Sequence, residues 1–105
     1  MNTSPLPVAK VRNASKGAEV RAIIEWAIAA RERTLRYGWA HVEAAAARRE
    51  MGMLRTWLDR HVFVSPEAAK QLYTAHAASI HYVMPSNAAG RTKLLRLQQI
   101  ISSIS

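Results

Sequence analysis

Cysteine is absent from this sequence of 105 residues. The chain can therefore form neither a disulfide nor a thiolate metal site, and its fold must be stabilised by packing. Aromatic residues are also few, at 7 %, and alanine supplies much of the hydrophobic half of the chain. A core of alanine and aliphatic side chains requires close contact between helices. The composition therefore predicts an all-α bundle.

Long hydrophobic runs are missing as well. No apolar stretch approaches the ~18 to 20 residues that a membrane span requires, and the first residues lack the apolar segment of a signal peptide. We therefore predict a cytoplasmic protein that makes no membrane contact. A chain of this length has room for one core, and a core thinned by alanine benefits from oligomerisation, which predicts a homodimer.

Acidic residues are outnumbered by basic ones. Seven Asp and Glu stand against fifteen Lys and Arg, which gives a formal net charge of +8. Such a surplus attracts phosphate backbones, anionic membranes or acidic protein surfaces. The sign of the charge does not distinguish among these partners.

The start of the chain differs in composition from the remainder. It carries two prolines, small polar residues and the cations Lys10, Arg12 and Lys16 without any apolar period. This pattern predicts a flexible basic arm over residues 1–17, followed by a single helical domain over residues 18–105.

Apolar residues at intervals of three and four predict four helices in that domain, over residues 18–37, 39–62, 66–83 and from residue 87 onward. The sequence Ser65-Pro66-Glu67 is typical of a helix start, because serine caps free amides and proline fits the first turn. Ser86 is expected to cap the last helix. No segment has the pattern of a β-strand.

The second helix carries two apolar stripes, which indicates more than one contact surface. The stripe assigned to the core consists of Ala40, Ala44, Ala47, Met51, Leu54, Leu58 and Val62. The second stripe consists of Trp39, Val42, Ala46, Met53 and Trp57, with Arg49 and Arg60 at its edge. Either a neighbouring helix covers this second stripe, or it binds a second copy or a different protein.

Two residues of the first helix also stand out. Trp26 lies about 120° from the centre of that helix's apolar stripe, where a core residue is not expected. Exposed Trp, Met and Arg are the residue types that anchor protein interfaces. The predicted partner-binding residues are therefore Trp26, Trp39, Val42, Met53, Trp57, Arg49 and Arg60. Arg31 lies on the core stripe itself, which predicts a side chain that extends to solvent or a charge paired at an interface.

Residues for catalysis or metal binding do not form a recognisable pattern. The histidines at 41, 61, 76 and 81 lack the spacing of three or four that places two ligands on one helical face. There is no thiol nucleophile, no serine with an evident base and no glycine-rich phosphate loop. We predict a protein that is not an enzyme and needs no cofactor or metal. His76, on the apolar side of the third helix, is predicted to be buried with one hydrogen bond, and a pH-sensing role is the alternative.

A cluster of cations at the start of the fourth helix supports a second hypothesis. Arg91, Lys93 and Arg96 lie where positive charge opposes the helix dipole, so another role must compensate. These residues are the predicted contacts of a small basic nucleic-acid-binding protein. The third helix lacks the turn of a helix-turn-helix motif, which argues against sequence-specific DNA binding.

In length, helical content and Ala/Arg-rich composition, the whole chain resembles the small helical antiactivators of bacterial quorum sensing of the QslA kind. The resemblance includes no motif and assigns no individual residue. It implies a regulator that binds a LuxR-type transcription factor and blocks its dimerisation or DNA binding. The second stripe of the second helix would then compete for the dimer surface of that partner.

Overall fold

A computed structural model of the protein describes residues 8–36 and 41–104, with side chains for residues 15–36 and 43–104. In these ranges the chain forms four helices and no strand. They are α1 (Val8–Leu35), α2 (His41–Arg60), α3 (Pro66–Val83) and α4 (Ala88–Ser103). The predicted all-α bundle of four helices is confirmed.

The helices run alternately up and down. Side chains from the first half of α1 reach the C-terminal ends of α2 and α4, whereas a side chain near its end reaches the C-terminal end of α3. Helices α1 and α3 are therefore parallel, and α2 and α4 are antiparallel to both. Both α1 and α3 pack against every other helix, but the described parts of α2 and α4 do not touch each other. The bundle thus has a central pair, α1 and α3.

One hydrophobic core lies between the four helices, and the described residues bury no polar or charged side chain in it. Its largest fully buried side chains are Val20, Ile24, Leu54, Leu72, Ile80, Val83, Leu97 and Ile100. Ala47 and Ala69 are completely buried. Their small side chains allow the close helix contact that the composition predicts.

Helix α1 begins at Val8, ten residues before the predicted start at Ala18. Gly17 therefore lies inside the helix. A Cβ atom on Gly17 would lie 1.9 Å from the carbonyl oxygen of Val64, so the backbone between α2 and α3 packs directly on α1. Residues 1–7 of the predicted arm lie outside the described residues.

Helix α2 ends at Arg60, two residues earlier than predicted. The expectation that Val62 belongs to the core is wrong, because this side chain is 83 % exposed. The amide of His61 bonds to the Leu58 carbonyl and closes the last turn. Beyond this turn the chain is no longer helical, and Val64 is the residue that enters the core.

The starts of α3 and α4 are capped by side chains. Ser65 caps α3 as predicted, with its hydroxyl oxygen 3.1 Å from the amide of Ala68. The cap of α4 is Asn87 and not Ser86, because the Asn87 side chain accepts a hydrogen bond of 2.8 Å from the amide of Gly90. Both caps satisfy amides that the first turn leaves free.

His76 interrupts α3. Its backbone has φ −128° and ψ 26°, which is not helical and marks a kink in the middle of the helix. The expectation of a buried, hydrogen-bonded histidine is wrong: the side chain is half-buried, and its ring has no hydrogen bond to any described residue. A half-exposed imidazole is satisfied by water, so it needs no protein partner.

Cations of α1 bond to the C-terminal carbonyl groups of the other helices. Lys16 donates to the carbonyl of Ser103 at the end of α4, at 3.3 Å. Arg21 donates to the carbonyls of Leu58 and His61 at the end of α2, at 2.9 and 2.6 Å. The last carbonyls of a helix have no partner within it and form the negative end of its dipole. Lys16 and Arg21 therefore supply both the missing hydrogen-bond donors and a positive charge at these helix ends.

Arg31 does the same for α3. Its guanidinium donates to the carbonyls of Val83 at 2.7 Å and of Tyr82 and Met84 at 3.1 Å each. Partial burial lowers the pKa of this guanidinium from its ordinary value, but an arginine remains charged at neutral pH. Arg31, the charged residue on the core stripe of α1, therefore caps the C-terminal end of α3.

Gly17→Ala is expected to destabilise the fold by about 1 to 3 kcal/mol, because the added methyl group meets backbone that must shift. Gly52→Ala is the matched control. It lies in α2, where a Cβ atom meets nothing within 4 Å, so the better helix former should stabilise the fold by about 0.5 to 1 kcal/mol. Urea denaturation measures both. Equal effects of the two substitutions, or a Gly17→Ala variant as stable as the wild type, would contradict the close approach at Gly17.

Arg31→Gln is expected to cost about 1 to 2 kcal/mol of stability, because it leaves carbonyls at the end of α3 without their charged donor. Arg33→Gln removes the same charge from the same helix, but Arg33 is exposed, so its effect should stay within about 0.5 kcal/mol. Thermal denaturation of both variants distinguishes capping from a general charge effect. A loss of similar size in both would contradict the capping role.

Candidate partner-binding surface

One side of α2 collects four of the predicted partner-binding residues. Arg49, Met53, Trp57 and Arg60 follow one another at intervals of three and four along this helix. Met53 and Trp57 are half-buried, and the two arginines are exposed. We call these four residues, together with Val62 and Phe63 at the end of the helix, the α2 surface.

A stacked pair holds Trp57 in place. The ring of His61 lies parallel to the indole, with ring centroids 3.9 Å apart and an angle of 11° between the planes. Nδ1 of His61 lies 2.8 Å from the carbonyl oxygen of Trp57. This carbonyl can only accept, so Nδ1 carries the proton. His61 was not among the predicted partner-binding residues, although its spacing of four residues from Trp57 indicates such a pair.

Two large apolar side chains at the end of α2 are exposed to solvent. Val62 is 83 % exposed and Phe63 is 69 % exposed. They are neighbours in the short connection to α3, where Val64 beside them is buried. Sequence analysis assigned Val62 to the core because it continues the stripe of α2. The helix start predicted at Ser65 indicates that the residues just before it are not helical.

Helix α3 runs along the inner border of the α2 surface. The hydroxyl of Ser79 in α3 donates to a carboxylate oxygen of Glu50 in α2 at 2.6 Å. Glu50 precedes Met53 by three residues and Trp57 by seven, so it lies on the same side of α2. Trp57 also packs against the core. The second apolar stripe is therefore partly covered by α3, and its outer part remains open.

Three predicted residues do not contribute to the described surface. Trp39 and the side chain of Val42 lie outside the described residues. Trp26 is half-buried on the α4 side of α1, where the Nζ atom of Lys93 lies 5.5 Å from the centroid of its ring. Because the described part of α4 does not touch α2, Trp26 belongs to a different side of the bundle.

The cations predicted to bind nucleic acid are engaged within the fold. Arg96 holds Glu19 of α1 through two hydrogen bonds of 2.6 and 2.8 Å. Arg91 donates to the carbonyl of Ser86 at 3.4 Å, and Lys93 lies over an indole of α1. Their positions on α4 place Arg91 on a different side of the helix from the other two. The three side chains do not form one basic track.

The ion pair of Arg96 and Glu19 changes the titration of both groups. The hydrogen bond from Arg96 lowers the pKa of the Glu19 carboxyl from its ordinary value of 4.5, although slight burial opposes the shift. The same contact raises the pKa of Arg96. The pair links α1 to α4, and it compensates the charge of Arg96 in the middle of α4.

Among the described residues, no three metal-ligating side chains form a group that could hold an ion. No helix in the described ranges combines the length and apolar character needed to cross a membrane. Comparisons of the chain with protein-family models, curated protein sequences and solved structures find no match. The role of the α2 surface is therefore inferred from the chemistry of its own residues.

The stability of the fold is expected to decrease as the pH is lowered, and the size of this decrease depends on Arg96. The pKa of Glu19 is lower in the folded chain, so its contribution is complete above pH 4.5 and is lost as the pH decreases below that value. Arg96→Gln should make the decline of the urea midpoint between about pH 5 and pH 3 shallower. Arg91→Gln, which removes the same charge from the same helix, should leave the wild-type slope. Identical slopes in all three proteins would contradict the link.

Proposed function

We propose that this chain is a non-enzymatic regulatory protein that binds a protein partner through the α2 surface. The observation that supports this proposal is the exposure of Val62 and Phe63 directly after the helix in which Trp57 stacks on His61. The exposed Arg49 and Arg60 precede and follow Met53 and Trp57 on the same side of α2. This combination has the composition of an interface core with a charged rim.

The residue types indicate how a partner would be held. Burial of a large apolar side chain contributes roughly 1.5 to 3 kcal/mol, and Phe63 is available for such burial. Trp and Arg are the residues that most often dominate interface energies. Arg49 and Arg60 have no described ion-pair partner, so they favour acidic side chains at the margin of the partner's contact area.

The finer identity of the partner is also a proposal. We infer that the target is a LuxR-type transcription factor in the cytoplasm, whose dimerisation or DNA binding this protein blocks. Similarity to the QslA kind of antiactivator in length, helical content and Ala/Arg-rich composition supports this inference. Blocking a dimer surface requires apolar area and a few anchors, which the α2 surface supplies. A homodimer of this chain through the same surface would compete with the target.

Binding of nucleic acid is the alternative function. It has less support, because Arg96 is paired with Glu19 and Lys93 lies against Trp26. A phosphate backbone would have to replace these contacts before it gained from the charges. The remaining surplus of positive charge still predicts weak, salt-dependent association with nucleic acid.

The deciding experiment replaces Val62 and Phe63 with serine and measures capture of the target from a nuclease-treated bacterial lysate at ~0.3 M salt, where phosphate contacts are weakened. Capture should fall at least about tenfold, because the two changes remove apolar area. Both residues are exposed, so the fold should be preserved. Leu95→Ser is the matched control, since Leu95 is 57 % exposed on α4, and it should leave capture unchanged.

Two further variants separate the alternatives. Trp57→Ala with Met53→Ala should also abolish capture, although both side chains contact other parts of the chain. Replacement of Arg91, Lys93 and Arg96 with alanine should have no effect on it. Capture that disappears with nuclease and with this triple variant would instead support nucleic-acid binding. A purified LuxR-type factor whose dimerisation is unaffected by the wild-type protein would contradict the finer proposal.

A further inference from the structure

A groove opens between α1 and α2 near the end of α1, on a different side of α2 from the α2 surface. It encloses about 330 Å³ and is lined by Glu32, Leu35, Arg36, Arg48, Met51 and Arg55. Its base is apolar, because Met51 is a buried core residue and Leu35 packs against the same core. We call this feature the arginine groove.

The charges around the arginine groove are not balanced. Arg55 forms an ion pair with Glu32 across the groove. Arg36 and Arg48 are exposed, and neither side chain has a hydrogen bond or an ion pair with a described residue. Three guanidinium groups therefore face one carboxylate, which leaves an excess of two positive charges over an apolar base.

The two walls present these charges from opposite sides. Arg48 and Arg55 are seven residues apart on α2, which corresponds to about two turns and 10.5 Å along one face. Arg36 follows the last residue of α1 and stands on the other wall, four residues after Glu32. A guanidinium presents a planar pair of donors that matches the oxygens of a carboxylate or phosphate.

We propose that the arginine groove binds a small organic anion. Arg36 and Arg48 hold its phosphate or carboxylate, and an apolar body of about the size of one ring rests on Leu35 and Met51. The volume lies at the lower end of the roughly 300 to 1,000 Å³ of ligand sites, which suits a ligand of this size. Arg55, fixed by Glu32, bounds the groove on the α2 side.

Neighbouring arginines provide a strict comparison. Arg33 precedes Arg36 by one turn but lines a different groove, formed with Trp26 and Pro85. Arg49 follows Arg48 directly but belongs to the α2 surface. Removing Arg33 and Arg49 therefore lowers the net charge as much as removing Arg36 and Arg48, and it leaves the arginine groove intact.

The test titrates the full chain at low salt with phenyl phosphate and with benzoate, followed by calorimetry and by the NMR signals of the methionine methyl groups. Binding should shift the Met51 methyl signal and leave that of Met53, on the other side of α2, unchanged. The Arg36→Gln, Arg48→Gln double variant should bind at least about tenfold more weakly. The Arg33→Gln, Arg49→Gln double variant should differ by less than about twofold.

Binding of either probe with this pattern supports the proposal, and the stronger probe identifies the preferred oxyanion. The proposal is overturned if neither probe shifts the Met51 signal at millimolar concentration. Equal weakening in both double variants would also overturn it, since the effect would then be one of general charge. If inorganic phosphate binds as tightly as phenyl phosphate, the apolar base of the groove does not contribute to binding, and the proposed apolar body of the ligand is contradicted. The Val62→Ser, Phe63→Ser variant should keep anion binding, so this result is independent of the proposed partner.

Discussion

The C-terminal ends of the other three helices depend on cations that α1 supplies. Lys16, Arg21 and Arg31 are spread over about four turns of α1, and each donates to carbonyl groups at the end of a different helix. The hydrophobic core holds the helices together, but apolar contacts are not directional and permit a helix to slide. Hydrogen bonds from fixed positions on α1 set how far α2, α3 and α4 extend along it. These hydrogen bonds also engage part of the positive charge that would otherwise be available to a partner.

This arrangement reduces the positive charge that is available to a partner. Of the cations in the described chain, several satisfy carbonyl groups or carboxylates of the chain itself, including Arg21, Arg31 and Arg96. Four of the described cations without a hydrogen bond or ion pair lie in two places that adjoin apolar groups. Arg49 and Arg60 flank apolar groups of the α2 surface, and Arg36 and Arg48 border the arginine groove. In both places the charge adjoins apolar area, which favours ligands that combine acidic and apolar groups.

Much of the fold is local and could be predicted from the sequence. The cap at Ser65, the end of α3 at Val83 and the core stripe of α2 from Ala44 to Leu58 all follow from patterns within a few residues, whereas Ala40 of that stripe lies outside the described residues. What the sequence could not indicate are contacts between distant residues. The partners of Arg31 are more than fifty residues away, and Glu19 lies 77 residues before Arg96. The exposure of Val62 was missed for a related reason: the helical period continues through it, but the start of α3 ends the preceding helix earlier.

The connection between α2 and α3 is anchored at both sides of its exposed pair. Arg21 holds the carbonyl of His61, and Val64 is buried against the core with its backbone on Gly17. Only Val62 and Phe63 between these anchors are free of the core. The bundle therefore tolerates sequence changes at these two positions. Under the proposed function, this dipeptide can be exchanged to change the partner while the scaffold stays the same.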